Sequence, residues 1–346
     1  MNKKIADKKI FSSEYQKWIL SLKERFLKSQ IKASIAVNSY LIKFYLDLGK
    51  DISNIKSKNK YGSNFYEKVS RDLQKELQNI KGLSSNNIRY ANKFYEFYSK
   101  AENFPQLVEN FIKIPWGHHR YILDKCKDNL NKAIFYINKT IENNWSRNVL
   151  LNFLDTKLYE RQGKAVSNFS RRLSLPQSDL AQEITKDPYN FDFLSITEGY
   201  KEKELKDSLM ANIIKFLLEL GTGFCLVGRE YKILVGKTEQ FLDMLFFNIN
   251  LNCYIVIEIK TGEFEPQHIG QLGTYVSAVN HMLKKDNQNP TIGLLICKTK
   301  DNILAQYSLE TSVVPIGISE YELSKLYPKK FRGTLPTIKE IEEKLK

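Results

Sequence analysis

Phe241-Leu242-Asp243-Met244-Leu245-Phe246-Phe247, followed by Tyr254-Ile255-Val256-Ile257-Glu258-Ile259-Lys260, decides how this chain is read. Both runs are rich in β-branched and aromatic residues, which predicts two strands. Side chains alternate between the faces of a strand, so Glu258 and Lys260 point the same way. A carboxylate set among apolar strand neighbours is costly unless it is paired or holds a metal. Asp243 and Glu258 with Lys260, on adjacent strands, therefore make a candidate divalent-metal site. Hard cations such as Mg²⁺ favour oxygen ligands of this kind.

Around this pair the pattern is mixed. Leu205 to about Leu220 has helical spacing and ends at Gly221. Strands are expected at 224–228, 230–235, 240–248 and 253–260. A helix from about Gln267 to Leu283, a strand at Thr291–Cys297, a helix near 301–308 and a strand near 313–317 follow. That order predicts a mixed sheet with helices against it. Gln271 and Tyr275 lie one helical turn apart and share a face. Glu219, at the end of the helix before the sheet, reads equally as an extra metal ligand or as a solvated carboxylate.

Residues 12–160 read mostly as helices: Glu14 to about Lys28, Ile35 to about Leu48 with a stop at Gly49, and Ser63 to about Leu77. Gly82-Leu83-Ser84-Ser85-Asn86-Asn87-Ile88-Arg89 then supplies a turn, a Ser cap and a new helix, the outline of a helix-turn-helix. Asn87, Arg89, Asn92 and Lys93 fall wholly or partly outside its expected core, and Asn and Arg suit base edges. A plain helical hairpin has the same outline. His118 and His119, about 100° apart on a helix, read as packing or capping residues. A charged helix is expected at 338–346.

Charge separates the halves. Residues 1–175 hold 33 Lys and Arg against 16 Asp and Glu, whereas residues 176–346 hold 20 against 23. A basic first half suits a polyanion, nucleic acid foremost, although a lysine-rich composition also produces it. No apolar run approaches a membrane span and no secretory segment follows the basic start, so the cytoplasm is the expected location. Cys126, Cys225, Cys253 and Cys297 lack metal-ligand spacing and read as buried reduced thiols.

Asp243…Glu258-x-Lys260 resembles the PD-(D/E)XK nuclease superfamily. Longer stretches resemble the YhcG-type PDDEXK nuclease-domain family: Pro115-Trp116-Gly117-His118-His119, Asn144-Trp145-Ser146-Arg147-Asn148-Val149-Leu150, Leu158 to Lys164, Lys186 to Leu194, Gly221 to Gly228, Glu258 to Phe264 and Pro315-Ile316-Gly317. The resemblance runs from about residue 15 to 325. Glu230 departs from it, standing where a neutral Gln is expected.

The resemblance implies an α+β chain of two domains. The first is helical, helix-turn-helix or winged-helix-like, and the second is a restriction-endonuclease-like mixed sheet flanked by helices. The expected division is 12–165 for a basic DNA- or partner-binding domain, 166–198 for a docked connector, 199–325 for the nuclease domain and 326–346 for a charged tail. It implies Mg²⁺ or Mn²⁺ on Asp243, Glu258 and the Ile259 carbonyl, with Lys260 acting on water and developing charge. Gln271 and Tyr275 resemble the Gln-x-x-x-Tyr element of RecB-like members, which contacts nucleic acid; His268 is peripheral to it. DNA is the expected partner and RNA stays open, as does a homodimer or a larger complex. The alternative is a non-cutting DNA-binding or assembly subunit that keeps the fold.

Overall fold

The computed structural model describes residues 13–58, 64–77 and 81–327; the charged helix expected at 338–346 lies outside them. The chain divides after Asp155 into two compact units. Among the described residues no helix is long and apolar enough to cross a membrane.

In the first unit, the described residues form helices only. These are α1 (Ser13–Lys58), α2 (Phe65–Glu76), α3 (Ser85–Tyr98), α4 (Phe104–Phe111), α5 (Trp116–Cys126), α6 (Leu130–Asn143) and α7 (Arg147–Asp155). The core is aromatic. Tyr45 stacks on Trp116 with ring centroids 4.3 Å apart, and Phe94 meets Phe111, Trp116 and His119 edge-on. His119 is fully buried, its Nε2 donating to the Phe111 carbonyl at 2.9 Å. Burial pulls its pKa down to about 4, so it is neutral and packs as the sequence suggests.

One boundary differs from expectation. The two helices expected over 14–48 are one, and Gly49 does not stop it. Nothing in Ser29-Gln30-Ile31-Lys32-Ala33-Ser34 breaks a helix. Gly49 is buried where α1 crosses α3, and a Cβ there would lie 2.1 Å from the Ala91 carbonyl oxygen. The glycine serves close approach, and packing outweighs its poor helix propensity.

The second unit comprises α8 (Leu158–Arg161), β1 (Val166–Ser167), α9 (Phe169–Arg172), α10 (Gln177–Ile184), β2 (Tyr189–Asn190), β3 (Ile196–Thr197), α11 (Glu202–Ala211), α12 (Ile213–Leu220), β4 (Phe224–Val235), β5 (Thr238–Asn248), β6 (Cys253–Glu263), α13 (Gln267–Met282), β7 (Ile292–Thr299), α14 (Asn302–Glu310), β8 (Ile316–Glu322) and β9 (Leu326–Tyr327). The main sheet runs β1-β8-β7-β6-β5-β4, with β2 also on β8. The meander β4-β5-β6 is antiparallel, and β6, β7 and β8 are parallel. β6 therefore joins the two halves of the sheet.

Its alternation builds a core on each face. Ile255, Ile257 and Ile259 enter a cluster with Leu205, Leu209 and Phe216 of α11 and α12. Val256 enters the other, with Leu272, Tyr275 and Val276 of α13. The connector is sewn to the sheet: Val166 pairs with Ile318, and Tyr189 with Tyr321.

Three further expectations change. The strands 224–228 and 230–235 are one strand, with a register shift between Leu226 and Gly228 and Glu230 at φ 44°. The helix expected from Leu205 to Leu220 is broken at Asn212, whose amide caps back to the Ser208 carbonyl. Cys225 is exposed on β4, an edge strand; Cys126, Cys253 and Cys297 are buried, and none of the four forms a disulfide among the described residues.

Gly49→Ala is expected to destabilise the chain. The clash costs about 1–3 kcal/mol, against a helix-propensity gain of about 1 kcal/mol at most. A denaturant midpoint equal to or above wild type would show that α1 and α3 do not meet there.

Candidate active site

β5 and β6 pair from Asn248↔Cys253 to Met244↔Ile257 and no further. Beyond that point the Ile259 N–H has no β5 carbonyl to meet. The Asp243 side chain replaces it: Oδ2 accepts from Ile259 N at 3.0 Å. Strand neighbours thus hold the carboxylate at the mouth of the split between β5 and β6.

Glu258 and Lys260 leave β6 on the α13 face, in phase with buried Val256. Lys260 Nζ donates to Glu258 Oε1 at 2.9 Å. Glu258 is 2% exposed, and its Oε2 is buried with no hydrogen-bond partner. Burial, and then the charge of Asp243, push its pKa up to about 7 against the pull of Lys260.

Two site residues came from no sequence signal. Glu202 and Lys206 stand one turn apart on α11, a spacing common on any solvated helix face. Lys206 Nζ bridges Glu202 Oε1 at 2.6 Å and Asp243 Oδ1 at 2.5 Å. Lys260 Nζ lies 3.6 Å from the same Glu202 oxygen. Burial lowers the pKa of both lysines, but the carboxylates around them outweigh it and hold both above the ordinary value. Both ammonium groups are charged. His268 is also near: burial and then the Lys260 charge pull its pKa down. Its Nδ1 accepts from the Glu265 N–H at 3.1 Å, at the start of α13.

Gln271 Nε2 donates to the Tyr275 hydroxyl at 2.9 Å, so the pair is joined as well as in phase. Tyr275 is buried against the sheet, in the cluster that contains Val256.

Other candidates lie elsewhere. Glu219 is not available as a metal ligand. Both its oxygens accept from the buried Arg161 guanidinium, and Oε1 also accepts the Asn190 N–H at 2.9 Å. Glu230 is exposed and faces Arg229 at 3.5 Å.

In the first unit, α2 and α3 flank the expected turn, and the Ser84 hydroxyl caps α3. Of the four polar residues assigned to groove contact, three are hydrogen-bonded or ion-paired and the fourth is inside. Asn92 is 1% exposed, on the core side of α3, and cannot reach a base edge. The i, i+4 rule that puts Ile88 inside puts Asn92 inside too. Asn87 donates to the Gly82 carbonyl at 3.0 Å and accepts from Trp116 Nε1 at 3.4 Å. Arg89 pairs with Glu67 and Lys93 with Asp124, each at 3.1 Å.

Among the described residues no three His, Cys, Asp or Glu side chains converge as a metal cluster. The donor set of the split is two carboxylates and backbone. That suits Mg²⁺, which commonly takes one or two carboxylates and keeps water or phosphate oxygens for the rest. Glu258 Oε2, buried and unpartnered, is the atom that fits such an ion. The Ile259 carbonyl leaves β6 on the same edge as its N–H, toward Asp243.

Residues 182–336 match the YhcG PDDEXK nuclease domain, and residues 21–161 match the DUF1016 N-terminal domain. A curated relative, "Putative nuclease YhcG" of Escherichia coli (strain K12), is 24% identical over 322 residues, covering 83% of this chain and 84% of that protein. Among solved structures, a repair endonuclease from Pyrococcus abyssi is similar at 19% identity over 38% of this chain and 50% of that one, with a TM-score of 0.26. The EndoMS–dsDNA2 complex is similar at 21% identity over 34% and 45%, with a TM-score of 0.27. The chain spans about half the length of these solved structures.

Two outcomes are expected of the acidic residues. Free Glu releases its proton near 4.5 and folded Glu258 near 7, so between these values the metal-free fold binds more protons than the unfolded chain. Its stability therefore falls as pH rises through that window, by roughly 3 kcal/mol at most. Glu258→Gln removes this slope and is more stable than wild type at pH 7 in chelator; parallel curves would contradict the burial. Glu219→Gln strands the Arg161 charge and costs roughly 3–5 kcal/mol. It leaves Mg²⁺ affinity unchanged by calorimetry; lost affinity would return Glu219 to the metal.

Proposed function

The chain belongs to the YhcG-type PDDEXK nuclease-domain family, joining a DUF1016 N-terminal domain to a YhcG nuclease domain, and on that premise we propose that it hydrolyses DNA phosphodiester bonds with a divalent metal. One observation carries the reading. Glu258 Oε2 is buried without a partner, beside the carboxylate of Asp243 and with Lys260 on the other oxygen. A buried carboxylate oxygen with no donor is costly unless something cationic completes it.

Asp243 and Glu258 would hold the ion, with the Ile259 carbonyl facing the same gap. Bound Mg²⁺ or Mn²⁺ would polarise the scissile phosphate and lower the pKa of a water. The residues of the chain do the rest. The Ile259 N–H fixes the rotamer of Asp243. Lys260 is charged at neutral pH, and so acts as a point cation toward phosphate oxygens and a developing oxyanion rather than as a resident base. Lys206 neutralises Asp243 and Glu202 and would yield Asp243 Oδ1 to the ion. Gln271 and Tyr275 offer amide and hydroxyl groups on the same face, for a backbone or strand end.

DNA is proposed as substrate from the excess of Lys and Arg in the first 175 residues. Grip on DNA belongs to that half, and the cytoplasm is its proposed place of action. Defence, restriction-linked processing and repair are roles that such an activity would serve.

Plasmid, linear duplex, single-stranded DNA and RNA are offered with Mg²⁺, Mn²⁺ or chelator. Cleavage of DNA with metal is expected, reduced at least ~10²-fold in Lys260→Ala and Asp243→Ala. Binding alone is read separately: near pH 6.5, Mg²⁺ releases protons from Glu258, seen as a buffer-dependent heat that Glu258→Gln lacks. Metal binding without cleavage of any substrate would leave the non-cutting subunit as the reading.

A further inference from the structure

At its N-terminal end α1 carries more apolar surface than the rest of the first unit covers. Over 46 residues an α-helix is about 70 Å long. Only its C-terminal part contributes core residues: Ile42, Tyr45, Leu46, Gly49 and Ile52 are buried. Before them, Trp18, Ile19, Phe26, Val37, Tyr40 and Phe44 are exposed, Phe26 at 63% and Tyr40 at 74%. At 100° per residue these six, with half-buried Leu22 and with Ala33, form one continuous row along the helix. The row lies about two-fifths of a turn away from the core-facing residues, nearly opposite them. A second exposed row, Leu20, Leu27, Ile31 and Ile35, runs on into the core face.

We propose that α1 pairs antiparallel with α1 of a second copy of this chain. The area is sufficient. Covering the six exposed residues removes on the order of 700 Å² per copy, with aromatic side chains at 150–250 Å² each. A stable interface buries about 800 Å² per partner, and a monomer seldom shows so long an apolar strip.

The row is flanked by Lys23 on one side and by Arg25, Lys32 and Lys43 on the other, all exposed. Size selects the direction. A parallel pair in register sets Phe26 against Phe26 and Ala33 against Ala33. The antiparallel pair, centred between Ser29 and Gln30, matches Ile19 with Tyr40, Leu22 with Val37 and Phe26 with Ala33. The last two set a larger side chain against a smaller one, as interdigitation requires. This contact is self-complementary, so it closes as a two-fold dimer and does not propagate.

The proposal stands on α1 alone and does not depend on the nuclease reading.

Sedimentation of the full chain across micromolar concentrations is expected to show a monomer–dimer equilibrium. Phe26→Glu with Val37→Glu shifts it to monomer with unchanged helical circular dichroism. Direction is read by cross-linking in a Cys225→Ser background. Phe26→Cys mixed with Ala33→Cys forms an interchain disulfide that neither forms alone. A wild-type monomer at every concentration overturns the proposal, whether the row is bare or folded against its own chain. A dimer that survives the double substitution also overturns it. Disulfides formed by each cysteine variant alone, and not by the mixture, overturn the antiparallel direction.

Discussion

A backbone N–H taken out of water has to find an acceptor, and at Ile259 the sheet does not provide one. β5 leaves β6 after Met244↔Ile257, and the Asp243 carboxylate takes the place of the missing carbonyl. That single bond ties the first acidic residue to the strand that carries the second. It sets Asp243 close enough to Glu258 for its charge to push the Glu258 pKa up. Closing the ladder for two more residues would satisfy the N–H with backbone and release Asp243. The split in the sheet is thus what makes the candidate site.

Burying Glu258 is the cost of that arrangement, and the lysines around it limit the cost. Lys260 meets one oxygen, and Lys206 meets Asp243, so neither carboxylate faces the other unshielded. Lys260 and Lys206 share Glu202, which keeps the second cation from being surplus. One oxygen is left over. A site made only for stability would have satisfied it, since replacing such groups with apolar ones is often neutral or stabilising.

The chemistry on β6 was legible because two rules converge there: period-two alternation and the cost of a carboxylate among apolar neighbours. Glu202 and Lys206 were not, because Glu and Lys four apart on a helix is an ordinary surface pattern. Their role depends on where α11 lands, which is a tertiary fact. The same holds for Glu219, whose partner Arg161 is far away in sequence and fully buried. The stretch Lys186 to Leu194 also becomes intelligible only in the fold. Lys186 donates to the last carbonyls of α12, Asp187 accepts the Glu320 N–H at 2.8 Å, and Asp192 accepts the Ser324 N–H at 2.6 Å. These residues fasten the connector to the sheet and act on no substrate in doing so. Gly49 misled in the other direction, since a glycine signals a stop only where packing does not need it.

The placement of positive charge in the first unit changes accordingly. Of the cations near the α2–α3 turn, Arg89 and Lys93 each face a carboxylate, and such exposed pairs cancel charge at little gain in stability. Asn92 is inside. α3 therefore presents a weak field and few free donors, which does not suit a groove reader. α1 differs: Lys23, Arg25, Lys32 and Lys43 are all exposed along it. These flank the apolar row and do not interrupt it, so a contact through the row leaves them at its rim. The same helix can then meet an apolar partner with one stripe and a polyanion with its borders. A phosphate backbone laid along those borders would also screen the repulsion between lysines brought together by pairing. The two contacts favour one another for a purely electrostatic reason, without any residue on α3 reading a base.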